Sequence, residues 1–193
     1  MSESDIYRRS RVALTELYPT LTDAQLALPV SETPAWTVRD VLGHVVGGPE
    51  DHVRGDNADA PSEAWTARHV ARLSGEPVSA VLAIWDEIGP RMEALIAEDP
   101  RRWTFSPHDV WCHEHDVRAT LDLPRREDEE AIRYSASAVW FVRARCQKAE
   151  LPVPEVVVGD EIVLAGTGGP TVRFPDLHEV GRVIFGRRSE AQI

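Results

Sequence analysis

Apolar residues recur with helical spacing along most of the chain. Between residues 3 and 18 the marks are Ile6, Val12, Ala13 and Leu17, and Pro19 closes the run. In TLTDAQLALPV (20–30), Thr22 is the N-cap of a short second helix that ends before Pro29. In SETPAWTVRDVLGHVVGG (31–48), a turn around Pro34 leads to Thr37, with Asp40 three positions on as the acid of a capping box. The helix begun there carries Val38, Val41, Leu42 and Val45, and Gly47-Gly48 is its expected stop. The polar, turn-rich RGDNADAPSE (54–63) predicts a surface loop.

Helical spacing returns over 64–98, broken near Gly75 and Pro77, with a stripe of Val78, Val81, Leu82, Trp85, Ile88, Met92, Leu95 and Ile96. Gly89-Pro90 is an expected kink. Ser106-Pro107 pairs a capping side chain with a first-turn proline, predicting a helix from there to Leu121. A further helix is expected over 127–149 with Ile132, Val139, Trp140 and Val142 inward. From Leu151 the pattern changes to β-branched runs broken by Gly-Asp and Gly-Gly-Pro turns, and DLHEVGRVIFGRRS (176–189) closes the chain as a helix. The implied organisation is a mainly α bundle over 1–150 and a small α/β annex over 151–193 packed on it, too short for an independent core.

Charge narrows the function classes. A net charge of -11 argues against nucleic acid, whose backbone requires clustered cations, and the arginines of PRREDEEA (124–131) are followed at once by four acids. No apolar run is long enough for a membrane span, and MSESDIYRRSRVAL lacks the apolar core of a secretion signal. Two cysteines, Cys112 and Cys146, are too few for a disulfide framework, so the expected compartment is the cytoplasm. Twenty of the 21 basic residues are arginine, Lys148 being the exception, which points to a GC-rich genome. No oligomeric state follows from these features.

The densest chemistry lies in SPHDVWCHEHDVRA (106–119), with three histidines, two aspartates, a glutamate and a cysteine. On a helix, Asp109 and His113 are four apart on one face, and Asp116 falls within about 60° of both. His108, Glu114 and His115 point elsewhere and are expected on the solvent side. Such a carboxylate–histidine pair can hold a metal or form a surface ion pair. His44 shares the face of Val41 and Val45, so it is either a hydrogen-bonded core histidine or a third ligand reaching in from a facing helix. Three ligands with an open fourth position make the pattern of a catalytic site.

Three segments carry a resemblance. TPAWTVRDVLGHVVG (33–47), DVWCHEHDVRATLDLP (109–124) and EVGRVIFGRRSEAQI (179–193) are similar, in that order, to the mycothiol-dependent maleylpyruvate isomerase family within the DinB-like four-helix bundles. The resemblance implies a DinB-like bundle with a divalent metal, usually zinc, on His44, Asp109 and His113. Nickel and iron are not separated from zinc by the sequence. It also implies mycothiol, the small thiol of high-GC actinobacteria, as cosubstrate. At the acid the family usually has glutamate, and Asp109 is one methylene shorter, so its bond requires a closer helix or a bridging water.

Around this triad Asp116 is either an acceptor orienting His44 or His113 or a helix-surface acid. Cys112 and Cys146 read as small buried hydrophobes, with a fourth-ligand or reactive role open for Cys112. Arg182, with Arg187 and Arg188, is either a clamp for a substrate carboxylate or a helix-end cation. The tryptophans (36, 65, 85, 103, 111, 140) are expected in core and pocket walls. Three functions stand: a metal-dependent, thiol-using transferase or isomerase of a small electrophile; a non-catalytic metal or small-molecule binding module; and a metal-assisted hydrolase.

Overall fold

The computed structural model describes residues 2–188, and the chain divides after Arg126 into two compact units. The first contains α1 (Glu3–Leu17), a 3-10 turn (Tyr18–Thr20), α2 (Asp23–Leu26), β1 (Pro29–Val30), β2 (Thr33–Thr37), α3 (Val38–Arg54), α4 (Glu63–Leu73), α5 (Val78–Glu98) and α6 (Phe105–Thr120). Helices α1 and α3 each pack against both α5 and α6, which makes a four-helix bundle, while α4 lies along α3. Tyr7, Leu14, Val41, Leu42, Trp85, Ile88 and Met92 meet in its core. The buried Tyr18 hydroxyl donates to the Val38 carbonyl at 2.8 Å, tying the end of α1 to the first turn of α3.

At the starts of α2 and α3 the capping agrees with the sequence. Thr22 caps α2, and Thr37 with Asp40 forms a full capping box on α3. The segment around Pro34, expected as a turn, forms β2 of a short antiparallel hairpin with β1. The end of α3 also differs. The helix passes through Gly47, Gly48 and Pro49, although proline removes a ladder donor, and ends where Gly55 takes the left-handed conformation (φ 81°). Gly47 serves helix packing instead, since a Cβ there would lie 2.6 Å from the Cβ of His69 on α4.

Helix α6 begins at Phe105, so Ser106 lies inside it and caps nothing. Its expected solvent side is a second correction. His108, Glu114 and His115 are all buried. Glu114 is neutralised in place, accepting from Arg118 Nε at 2.9 Å and from Arg126 Nε and Nη2 at 2.9 and 3.0 Å. Charge-assisted pairing of this kind is what allows a carboxylate at full burial.

The second unit holds α7 (Glu129–Ser137), α8 (Trp140–Lys148), β3 (Glu155–Val158), β4 (Glu161–Leu164), β5 (Thr171–Phe174) and α9 (Leu177–Ile184). The sheet order is β4-β3-β5, with β3 antiparallel to β4 and parallel to β5. The single helix expected over 127–149 is thus two, interrupted at Ala138 and Val139. Trp140, expected inward, is exposed. The division falls at 126/127 and not near 150, because Ala136 and Val139 share a core with Val153, Val156, Leu164 and Val180. The last segment of the family resemblance extends over 189–193, which lie outside the described residues.

Candidate metal centre

The site is built on α3 and α6, which pack side by side in the bundle. The capping box sets where α3 begins: the Asp40 carboxylate accepts from the Thr37 amide at 2.8 Å and from its hydroxyl at 2.7 Å. About two turns on, this helix presents His44 toward α6. Asp109 and His113 stand one turn apart on α6. His44 Nε2 lies 3.2 Å from Asp109 Oδ2, and His113 Nε2 lies 3.6 Å from Asp109 Oδ1. One ligand atom from each residue falls within 4.8 Å of the others. The shorter side chain of Asp109 therefore reaches both imidazoles without a displaced helix.

Each imidazole is also held from behind. His113 Nδ1 is 3.1 Å from Asp116 Oδ2, and both residues are buried. His44 Nδ1 is 3.0 Å from Nε2 of the fully buried His69 on α4. Trp36 covers the pair, its ring centroid 4.9 Å from His44 and 5.8 Å from His113. Burial pushes the His113 pKa down, opposed by the carboxylates of Asp116 and Asp109. Burial, reinforced by the nearby His44, pushes His69 down to about 3. Both rings thus favour the neutral form, which for His113 is the form in which imidazole binds a metal.

Asp109 is half-exposed, and beside it opens a cavity of about 280 Å³ that His44 also lines. Its walls include Pro49, Pro61, Trp65 and Phe105, with His52, Thr66 and Ser106 as polar groups. His52 is pushed below its ordinary pKa by burial and by the charge of Arg102. Two imidazole nitrogens and one carboxylate converging beside a cavity fit a divalent ion with an open position. Nε2 of His44 and Nε2 of His113 both face the Asp109 carboxylate, so unprotonated imidazoles there and the carboxylate oxygen would share one cation.

Of the residues expected at the site, the structure brings together His44, Asp109 and His113 and puts Asp116 against His113. Cys112 is buried and lies outside the ligand cluster. Cys146 is half-buried in the second unit. Arg182 lies in α9 of the second unit and is buried, whereas an exposed helix-end cation was the alternative expected. Arg188 is committed to Glu179 through two contacts of 2.7 Å. Sequence reasoning missed His69, His52 and Asp51. The one signal for His69 was its position four residues after Trp65 and four before Leu73, a polar residue on an apolar helix face.

The sequence pattern of the mycothiol maleylpyruvate isomerase N-terminal domain matches residues 7–118, more than half of the chain. The chain belongs to this family. The matched region runs from α1 into the last turn of α6, so the maleylpyruvate isomerase-like part contains the bundle with His44, His69, Asp109, His113 and Asp116. The fold is accordingly mainly α and DinB-like, with a small α/β segment at the C-terminal end. Searches among curated proteins and among solved structures return no significant match. Among the described residues no helix is long and apolar enough to cross a membrane.

Proposed function

We propose that the bundle holds a divalent metal ion on His44, Asp109 and His113 and uses it to react a low-molecular-weight thiol with a small electrophile. The observation that carries this is the convergence of two buried imidazoles and a half-exposed carboxylate at the edge of a cavity. The donor set suits zinc, nickel or iron, with zinc the first choice for a site of nitrogen and oxygen ligands. The family points to mycothiol as the thiol. A divalent ion in this position favours the thiolate form of a thiol that reaches its open side.

The chain's own residues divide the remaining work. His44 and His113 offer Nε2, and Asp116 holds the His113 ring in register. Trp36 fixes both rings from one side. The cavity, about 280 Å³, lies at the small end of ligand pockets and takes a small electrophile with the reacting end of the thiol. Pro49, Pro61, Trp65 and Phe105 keep water from the electrophilic carbon. Addition of the thiolate to a double bond and its later elimination gives isomerisation, with the thiol regenerated. Displacement of a leaving group, which departs with the bonding pair, gives transfer.

The test is the metal content of the purified protein by elemental mass spectrometry, wild type beside His44→Ala, followed by turnover with and without mycothiol. Near-stoichiometric metal lost in His44→Ala, with turnover that requires the thiol, is the expected result. Protein that takes up no metal even on reloading overturns the metal reading. Turnover indifferent to thiol identifies a hydrolase, and metal without turnover a binding module.

A further inference from the structure

We propose that His69 is a positioning residue for His44: backed by Asp51, it keeps the His44 proton on Nδ1 and turns the Nε2 lone pair toward Asp109 and His113. The inference rests on the metal reading above for its consequence, but its geometry stands on α3 and α4 alone.

The contact between His44 Nδ1 and His69 Nε2, 3.0 Å long, requires that one nitrogen donate and the other accept. The other nitrogen of His69 decides which. His69 Nδ1 is buried and lies 3.5 Å from Asp51 Oδ2. That distance is too long for a strong hydrogen bond, yet close enough for the carboxylate to set the sign of the charge facing it. Asp51 is held by Arg72, whose Nη2 donates to Oδ1 at 2.9 Å. An ionised carboxylate offers only lone pairs, so the favourable His69 tautomer carries its proton on Nδ1. His69 Nε2 is then an acceptor, and His44 Nδ1 must be the donor. His44 is left with Nε2 for the site. The opposite assignment turns a His69 lone pair onto Asp51 and gives His44 an Nε2–H aimed at Asp109 Oδ2, 3.2 Å away, a competing contact that a bound cation removes.

The packing makes the contact rigid. The closest approach of α4 to α3 is set at His69 itself, where only glycine fits at position 47, a Cβ lying 2.6 Å from His69 Cβ. Trp65 stands edge-on to the His69 ring at 4.7 Å and helps to bury it completely. The two imidazole ligands thus have matching support: Asp116 stands directly behind His113, and Asp51 stands behind His44 through the intervening His69. Neutral ligand histidines are oriented in this way by whatever accepts from their far nitrogen.

Two measurements decide it. Zinc affinity by competition with a chromophoric chelator is compared among wild type, His44→Ala, His69→Leu and His69→Gln, with far-ultraviolet circular dichroism confirming the fold. Leucine removes the acceptor and is expected to weaken zinc binding by about 10–100-fold, while glutamine, which can accept through its amide oxygen, recovers most of it. Wild-type affinity in folded His69→Leu overturns the proposal. Nitrogen-15 NMR of the wild-type imidazoles, which needs no variant, is the second readout. A proton on His69 Nδ1 and a hydrogen-bonded proton on His44 Nδ1 are expected, and a proton on His69 Nε2 overturns the proposal. If wild type and His44→Ala alike bind no zinc, the metal reading fails and the NMR assignment still decides the role of His69.

Discussion

At the scale of single residues, the site is organised by what stands behind each ligand as much as by the ligands. Asp116 is buried against His113 Nδ1 at 3.1 Å. Asp116→Asn removes the anionic acceptor with little change in volume, so metal affinity is expected to fall by about 10–100-fold in a protein that still folds. Equilibrium dialysis against graded zinc checks this. Cys112 gives the opposite expectation. It is buried but outside the ligand cluster, so Cys112→Ala should leave metal content unchanged and cost about 1 kcal/mol in a denaturant titration. The ligand face of α6 was legible because four-residue spacing puts Asp109 and His113 on one face whatever surrounds the helix. His69 was not, because its partner lies on another helix and no spacing rule connects them.

At the scale of elements, the contact of α3 with α4 sets His69 against His44. Glycine to alanine inside a helix ordinarily gains about 1 kcal/mol in propensity. Here the added Cβ would lie 2.6 Å from His69 Cβ, an atom fixed to the backbone of α4. Overpacking of that kind costs about 1–3 kcal/mol. Gly47→Ala is therefore expected to lower the thermal midpoint and to weaken zinc binding together, as α4 moves His69 away from His44. Thermal melts paired with chelator competition check it, and a stabilised variant with unchanged zinc affinity would contradict the close approach. The stop expected at Gly47-Gly48 was misread for the same reason: sequence alone does not tell a glycine that ends a helix from one that lets a second helix come near. The true stop, Gly55, is marked by its positive φ.

At the scale of the molecule, each unit has its own core, Tyr7 to Val117 in one and Ala136 to Val180 in the other. His44, Asp109 and His113, with His69, Asp51 and Asp116, belong to the first unit. Residues 1–126 alone are accordingly expected to bind metal with the stoichiometry of the full chain, which elemental analysis of the truncated protein checks. The bundle core also fixes a response to alkali. Desolvation raises Tyr7 and Tyr18 above their ordinary pKa of 10.0. The folded pKa exceeds the unfolded one, so the stabilisation is complete below pH 10 and is lost as pH rises beyond it. An absorbance titration should show Tyr7 and Tyr18 ionising only as the chain unfolds.

The caps at Thr22 and Thr37, the shared face of Asp109 and His113 on α6 and the change to strands after Leu151 follow from local spacing, because each depends on residues a few positions apart. Those signals were enough to reach the family and the three side chains that meet at the candidate site. The meeting of His44 with α6, the burial of Glu114 between two guanidiniums and the pairing of α7 with α9 depend on which helix faces belong to the same core. So does the support of His44 by His69 across the Gly47 contact. Periodicity names the face a residue occupies. It does not name the neighbour opposite, which is set by packing among segments far apart in the chain.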